Sequence, residues 1–172
     1  MSKIKVAVAG VGNCCSALAQ GIQYHNGGEA MGLLHETLGG YSVSDIELVA
    51  AFDIDRRKVG LDLADAIMSE PNNTPRITEM KSLGIEVQMG PIGDSLENSG
   101  EGLIDPSSAE PVDVAAVLRA SGAHVLVNLI SGSSLDASRR PGSFLRSGSP
   151  GRGRRSPGGR LRRPRAPRWR GR

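Results

Sequence analysis

The sequence predicts an α/β protein: a Rossmann-like parallel sheet with flanking helices, incomplete, followed by a disordered C-terminal tail. Three observations carry this. Apolar runs of strand length alternate with stretches of helical composition, the pattern of parallel sheets joined by crossover helices. The first run ends on a glycine turn, AGVGNCCS, at residues 9–16. Charge divides the 172 residues at about Arg139. Residues 1–138 hold eight Lys and Arg against eighteen Asp and Glu, a net charge of −10, whereas residues 139–172 hold thirteen Arg, no Lys and no acid. The expected organisation is a folded body over 1–138 and a tail over 139–172.

IKVAVA (4–9) is short, apolar and β-branched, as suits a buried parallel strand. CCSALAQGIQYH (14–25) has helical composition, with Asn13 as its expected N-cap. IELVAAF (46–52) forms the second strand and ends on Asp53. A helix is expected from Arg56 to about Met68, because Val59, Leu63 and Ile67 recur every four residues. PNNTP (71–75) breaks it. IEVQM (85–89) is a third strand, and the Gly-, Ser- and Asp-rich interval 90–109 is a loop. A helix over about Val112 to Ala120 ends near Gly122, and HVLVNLI (124–130) is a fourth strand.

The turn at 10–15 is a G-x-G-x-x-G fingerprint with Cys15 in the third place. In such a turn the first glycine permits the bend. The second lets a diphosphate approach the backbone, where the helix start offers amide donors. The third only allows close helix–strand packing, which a small Cys15 approximates. The companion signal is an acid ending the second strand, to accept from ribose hydroxyls, and Asp53 holds that place. Asp55 and Asp62 compete for the role, but Asp53 directly ends the strand. It lies 41 residues beyond Gly12 rather than the usual ~20, and the surplus is an insertion, NGGEAMGLLHETLGGYSVSD (26–45). Arg56, Arg57 and Lys58 are placed where a 2′-phosphate would lie, yet Asp53 would repel that group, so NAD is favoured over NADP.

AGVGNCCSALAQGI, GLLHETLGGY, VAAFDIDRRKVGLDLADAI, NNT, VQMGP and AEPVDVAAVLRASGAHVLVNLI together resemble the bacterial and archaeal type of myo-inositol-1-phosphate (inositol-3-phosphate) synthase, N-terminal part only, from about Lys3 to Ser138. The insertion ending in GGY is part of that likeness. The resemblance implies a Rossmann NAD domain interrupted by a second α/β domain. It implies conversion of glucose 6-phosphate to inositol phosphate by oxidation, aldol cyclisation and reduction, in inositol and phospholipid biosynthesis, by a homotetramer. It places Gly10, Gly12, Asn13 and Cys14 along the pyrophosphate, Asp53 on the adenosine ribose, and Asn128 to Ser134, including Ser131, toward the rest of the dinucleotide. The family's usual Pro and Gly-Ser near that last turn are replaced by SGSS (131–134). Asn72 and Asn73 border the same site by this likeness. No catalytic residue is carried over, because the family's lysines lie beyond the matched part; the chain alone is expected to be inactive.

The tail has thirteen Arg, seven Gly, five Pro and four Ser among 34 residues, a composition that cannot bury a core. Three explanations fit it. A shifted reading frame in GC-rich coding DNA accounts for the lack of Lys. An evolved Arg-rich arm would bind nucleic acid non-specifically through phosphates. A patch for anionic membranes or heparin is the third. A sheet cut short would leave an apolar edge and poor solubility. An NAD-sensing regulatory domain without turnover is the alternative function for the body. No stretch approaches the ~20 apolar residues of a membrane span and no signal peptide is apparent, so a cytoplasmic setting is expected. Cys14 and Cys15 are adjacent and form no disulfide framework or metal pattern, and His25, His35 and His124 lack ligand spacing.

Overall fold

The structure is a computed structural model in which residues 3–27, 31–92 and 104–130 are described. Seven elements follow in order: β1 (Ile4–Ala9), α1 (Asn13–Asn26), β2 (Ile46–Asp53), α2 (Leu63–Ala66), β3 (Val87–Met89), α3 (Val114–Ser121) and β4 (Val125–Asn128). The four strands form one parallel sheet in the order β3-β2-β1-β4. That is the order of the first half of a doubly wound dinucleotide-binding sheet, whose direction of growth reverses between β1 and β4.

β1 and β2 run register Ile4–Ile46 to Val6–Leu48, then Ala7–Ala50 to Ala9–Phe52, so the ladder skips Val49. The alternation of side chains across the sheet supplies two cores. One packs Val8, Ala51 and Val87 against Val11, Cys15 and Ala19 of the turn and α1, and against Leu63, Ala66 and Ile67. The other packs Ala7, Ala50 and Phe52 against Val114 of α3. Phe52 is 1% exposed, and burying a side chain of its size stabilises the fold by about 1.5–3 kcal/mol. Cys15 is fully buried against the sheet, the packing role foreseen for the third-glycine position.

The first two strands form where expected. The helix expected over 56–68 does not: only Leu63–Ala66 is α-helical. Gly60 takes φ +87, and its amide donates to the Val87 carbonyl (2.8 Å). The Leu63 amide donates to Ile85 (2.7 Å), and the Val87 amide to Leu61 (2.9 Å). Residues 60–63 thus spend their backbone groups on the approach to β3, which leaves no run of free amides for a longer helix. The third strand is shorter than expected, Val87–Met89, because Ile85 and Glu86 make these antiparallel contacts instead. β4 ends at Asn128, short of the expected Ile130, where the chain turns over Gly10. Among the described residues β4 pairs with β1 alone, and Val125 is 46% exposed on that edge.

Candidate functional site at the carboxyl ends of the strands

The turn between β1 and α1 uses its two glycines differently. Gly10 has φ +91, and a Cβ there would lie 2.9 Å from the Ile130 nitrogen and the Leu129 carbonyl carbon. Its own amide donates to the Phe52 carbonyl (2.8 Å), and the Leu129 amide donates to Ala9 (2.7 Å). Glycine is needed here because the chain leaving β4 passes directly over it. Gly12 has φ −88 and ψ −164, an ordinary extended conformation, and nothing lies within 4 Å of a Cβ built on it. What glycine provides at position 12 is open space.

Gly12, not Asn13, is the N-cap of α1, and its carbonyl accepts from the Ser16 amide (3.0 Å). The amides of Gly12, Asn13 and Cys14 have no acceptor among the described residues. Free amides at the leading end of a fourteen-residue helix concentrate partial positive charge and suit an oxyanion.

Asp53 ends β2 beside this turn. Its Oδ2 accepts from the Val11 amide (2.5 Å), and its Oδ1 accepts from the Ile54 (2.7 Å) and Asp55 (2.9 Å) amides. A carboxylate offers about four acceptor directions, so one remains for an outside hydroxyl. The carbonyl of Val11, which belongs to the next peptide group, Val11–Gly12, is held as well. It accepts from Lys58 Nζ (2.7 Å) and Asn72 Nδ2 (3.0 Å). Lys58 also donates to Asn72 Oδ1 (3.0 Å), and Asn72 Nδ2 reaches the Ile67 carbonyl (3.1 Å). Lys58 is only 4% exposed. Burial lowers its pKa below the usual lysine value, against the opposing pull of Asp53 and Asp55. Burial, with Asp53 adding to it, pushes the Cys15 thiol up to about 12.

Each of the three basic residues after β2 has a partner within the chain. Arg56 Nε pairs with Asp105 (2.8 Å). Arg57 grips Asp55 through Nε (2.9 Å) and Nη2 (2.6 Å). Burial alone would raise the Asp55 pKa, but the hydrogen bonds and charge of Arg57 outweigh it and leave Asp55 below the usual carboxylate value.

Asn13 does more than begin a helix. Its Oδ1 accepts from the Asn73 amide (2.8 Å), the Thr74 amide (3.1 Å) and the Thr74 hydroxyl (3.0 Å). Buried Gln20, on the same helix, accepts from the Ile77 amide (2.6 Å) and donates to the Pro75 carbonyl (3.2 Å). Residues 72–77 are therefore stitched along α1, which brings Asn72 and Asn73 against the glycine turn. Cys14 is exposed at the helix start. Asn128 pairs in register with Ala9 and accepts from the Ile130 amide (3.0 Å), at the strand end beside Gly10. Ser131 and the whole tail lie outside the described residues. The structure thus gathers Gly10, Gly12, Asn13, Cys14, Asp53 and Asn128 at one edge of the sheet. Sequence reasoning did not foresee the parts of Lys58 and Gln20. A basic run and a polar position on an amphipathic helix read as solvated, and only the pairing of distant segments reveals otherwise.

No protein-family model matches the chain. It is 44% identical over 142 residues to an inositol-3-phosphate synthase of Corynebacterium glutamicum, and 41% identical over 141 residues to that of Mycolicibacterium smegmatis; each match covers 80% of this chain and 39% of the relative. The chain therefore spans about two-fifths of the length of the curated relatives it matches. The solved structure titled Ari2 superposes with a TM-score of 0.59 at 36% identity, over 75% of this chain and 38% of the other. A myo-inositol-1-phosphate synthase-related protein of Thermotoga maritima superposes with a TM-score of 0.54 at 20% identity, over 74% and 34%, and bears on the fold alone.

Proposed function

The body of this chain is homologous to the N-terminal part of inositol-3-phosphate synthases, and from that premise we propose that it carries the NAD-binding part of such an enzyme. The observation that supports this most is local: the amides of Gly12, Asn13 and Cys14 have no acceptor among the described residues, a Cβ on Gly12 would meet nothing within 4 Å, and the Asp53 carboxylate lies one strand away. The donor set fits a dinucleotide. The amides bind the diphosphate and the helix start stabilises its charge. Asp53 accepts from a ribose hydroxyl while its amide contacts hold its orientation. Asn128, at the end of β4, borders the nicotinamide half, on the side where the sheet order reverses, and Ser131, three residues on in sequence, is assigned to the same half by the family resemblance. Asn13 contributes its backbone amide, since its side chain secures Asn73 and Thr74. NAD rather than NADP is favoured because Arg56 and Arg57 are paired with Asp105 and Asp55 and Lys58 is buried, while the Asp53 carboxylate would repel a 2′-phosphate.

When bound, NAD would supply a reversible hydride acceptor, as needed by a reaction that first oxidises its substrate and later reduces it again. The substrate of the complete protein is glucose 6-phosphate and the product an inositol phosphate. The NAD-binding unit is assigned to residues 1–138 and the tail to 139–172, by the change of composition at Arg139. Titrating the purified chain with NADH and following its fluorescence tests the proposal. Saturable binding that NAD displaces is expected, with no inositol phosphate formed from glucose 6-phosphate. Absence of any NADH binding by folded protein refutes it.

A further inference from the structure

Val11 lies at the middle of the glycine turn, and both of its backbone polar groups are taken. Its amide goes to Asp53, and its carbonyl is shared by Lys58 and Asn72. Among the described residues the buried polar and charged ones are Ser16, Gln20, Asp55 and Lys58, and of these only Lys58 brings a positive charge. Taking an ammonium out of water is costly, and its retention against a backbone carbonyl calls for a reason. A single surface hydroxyl would have satisfied that carbonyl at less cost. What the lysine adds is direction and charge. It fixes which way the Val11 carbonyl faces, and so the direction of the Gly12 amide, which shares that peptide plane and points the opposite way at the start of α1. It also sets a cation directly behind a turn that, on the proposed function, receives an anion.

We propose that Lys58, held by Asn72, is a positioning residue that pre-orients the glycine turn for a diphosphate. This rests on the NAD-binding reading of the same turn. Donors aimed before the ligand arrives need no reorganisation on binding, which is how preorganised sites gain affinity. The carboxylates and cations packed around the ammonium are Asp53, Asp55 and Arg57, with the Cys15 thiol beside them. Asp53 and Asp55 keep Lys58 charged in the free protein, Arg57 works against them, and burial depresses its pKa. An anion on the turn favours the protonated form further. By linkage, affinity for a diphosphate falls as pH rises through the depressed lysine pKa.

The test compares the full chain with Lys58→Met and Asn72→Leu. NADH, which tolerates alkaline pH, is titrated by fluorescence from pH 7 to 10.5, adenosine is used as a competitor without a diphosphate, and thermal melting is recorded. The expected result is an NADH affinity at pH 7 about tenfold weaker in Lys58→Met, with adenosine binding changed less than twofold. The wild-type affinity falls toward alkaline pH, and that of Lys58→Met stays flat. A merely structural lysine would weaken both ligands together and leave the pH profiles parallel, and that outcome overturns the proposal. Should Lys58→Met fail to fold, the wild-type profile and Asn72→Leu decide: a wild-type profile flat to pH 10.5, or unchanged NADH affinity in Asn72→Leu, overturns it. Failure of wild-type protein to bind NADH overturns the NAD reading itself, whereas wild-type binding with an unaltered Lys58→Met overturns only the role of the lysine.

Discussion

Replacing Gly10 and Gly12 by alanine, one at a time, separates shape from space in the turn. At Gly10 the backbone has φ +91, and holding a side chain there costs about 1–3 kcal/mol. The added methyl would also sit 2.9 Å from two backbone atoms of Leu129 and Ile130, and overpacking of that kind costs about 1–3 kcal/mol more. Together these are a large part of the ~5–15 kcal/mol that stabilises an ordinary domain. Gly10→Ala should therefore lower the melting temperature by about 10 °C or more, since each kcal/mol is worth ~4–8 °C in a domain near 100 residues. At Gly12 the conformation suits any residue and a methyl meets nothing within 4 Å. The stability cost is that of a poorer N-cap, about 0.5–1 kcal/mol. The methyl would nevertheless occupy open space at the leading end of α1, where the proposed diphosphate approaches the backbone. NADH affinity should fall at least tenfold in Gly12→Ala while the fold persists. Circular dichroism melts and NADH titration read the two effects. A Gly10→Ala protein that melts like wild type refutes the steric account of the turn. A Gly12→Ala protein whose NADH affinity stays within twofold refutes the assignment of the open space to ligand.

Two further outcomes follow from side chains outside the turn. Asp62 accepts from the Ala64 (2.8 Å), Leu83 (3.1 Å) and Gly84 (2.8 Å) amides and from the Ser82 hydroxyl (2.9 Å). Burial pushes its pKa up, but these donors together push it further down, below the usual value of 3.8. The stability it contributes is thus fully present above pH ~4 and is lost as pH falls through its lower folded pKa. Asp62→Asn should cost about 1–3 kcal/mol in urea unfolding at pH 7, and the difference should shrink toward pH 2. With a thiol-reactive chromophore at pH 8, the native chain should show one rapidly modified cysteine, the exposed Cys14. Cys15, buried and with its pKa raised to about 12, should react only after denaturation; two fast thiols in native protein would contradict that burial.

Legibility in the sequence tracked how local each cause is. IKVAVA and IELVAAFD announce strands because a run of buried β-branched and apolar residues has few other uses. The glycine turn and Asp53 were readable from their positions relative to those strands. The four-residue spacing of Val59, Leu63 and Ile67 suggested a longer helix than exists, because the amides of Gly60 and Leu63 answer to Val87 and Ile85, some twenty residues on. Asn13 looked like a cap because capping is a local habit of asparagine, yet its oxygen serves Asn73 and Thr74, which local reasoning cannot reach. Lys58 sits in a run of three bases that resembles a solvated surface. Its burial follows from the turn folding back onto it, a fact of tertiary packing.

The backbone of the single residue Val11 is gripped by side chains 42, 47 and 61 residues further along the chain. Its shape is consequently a late acquisition during folding. The first two strands must zip together to deliver Asp53, and the stretch after α2 must close before Asn72 can arrive. A nascent polypeptide released before that point would display both glycines and still lack the cradle, so the competence of this turn measures how far the rest of the body has assembled.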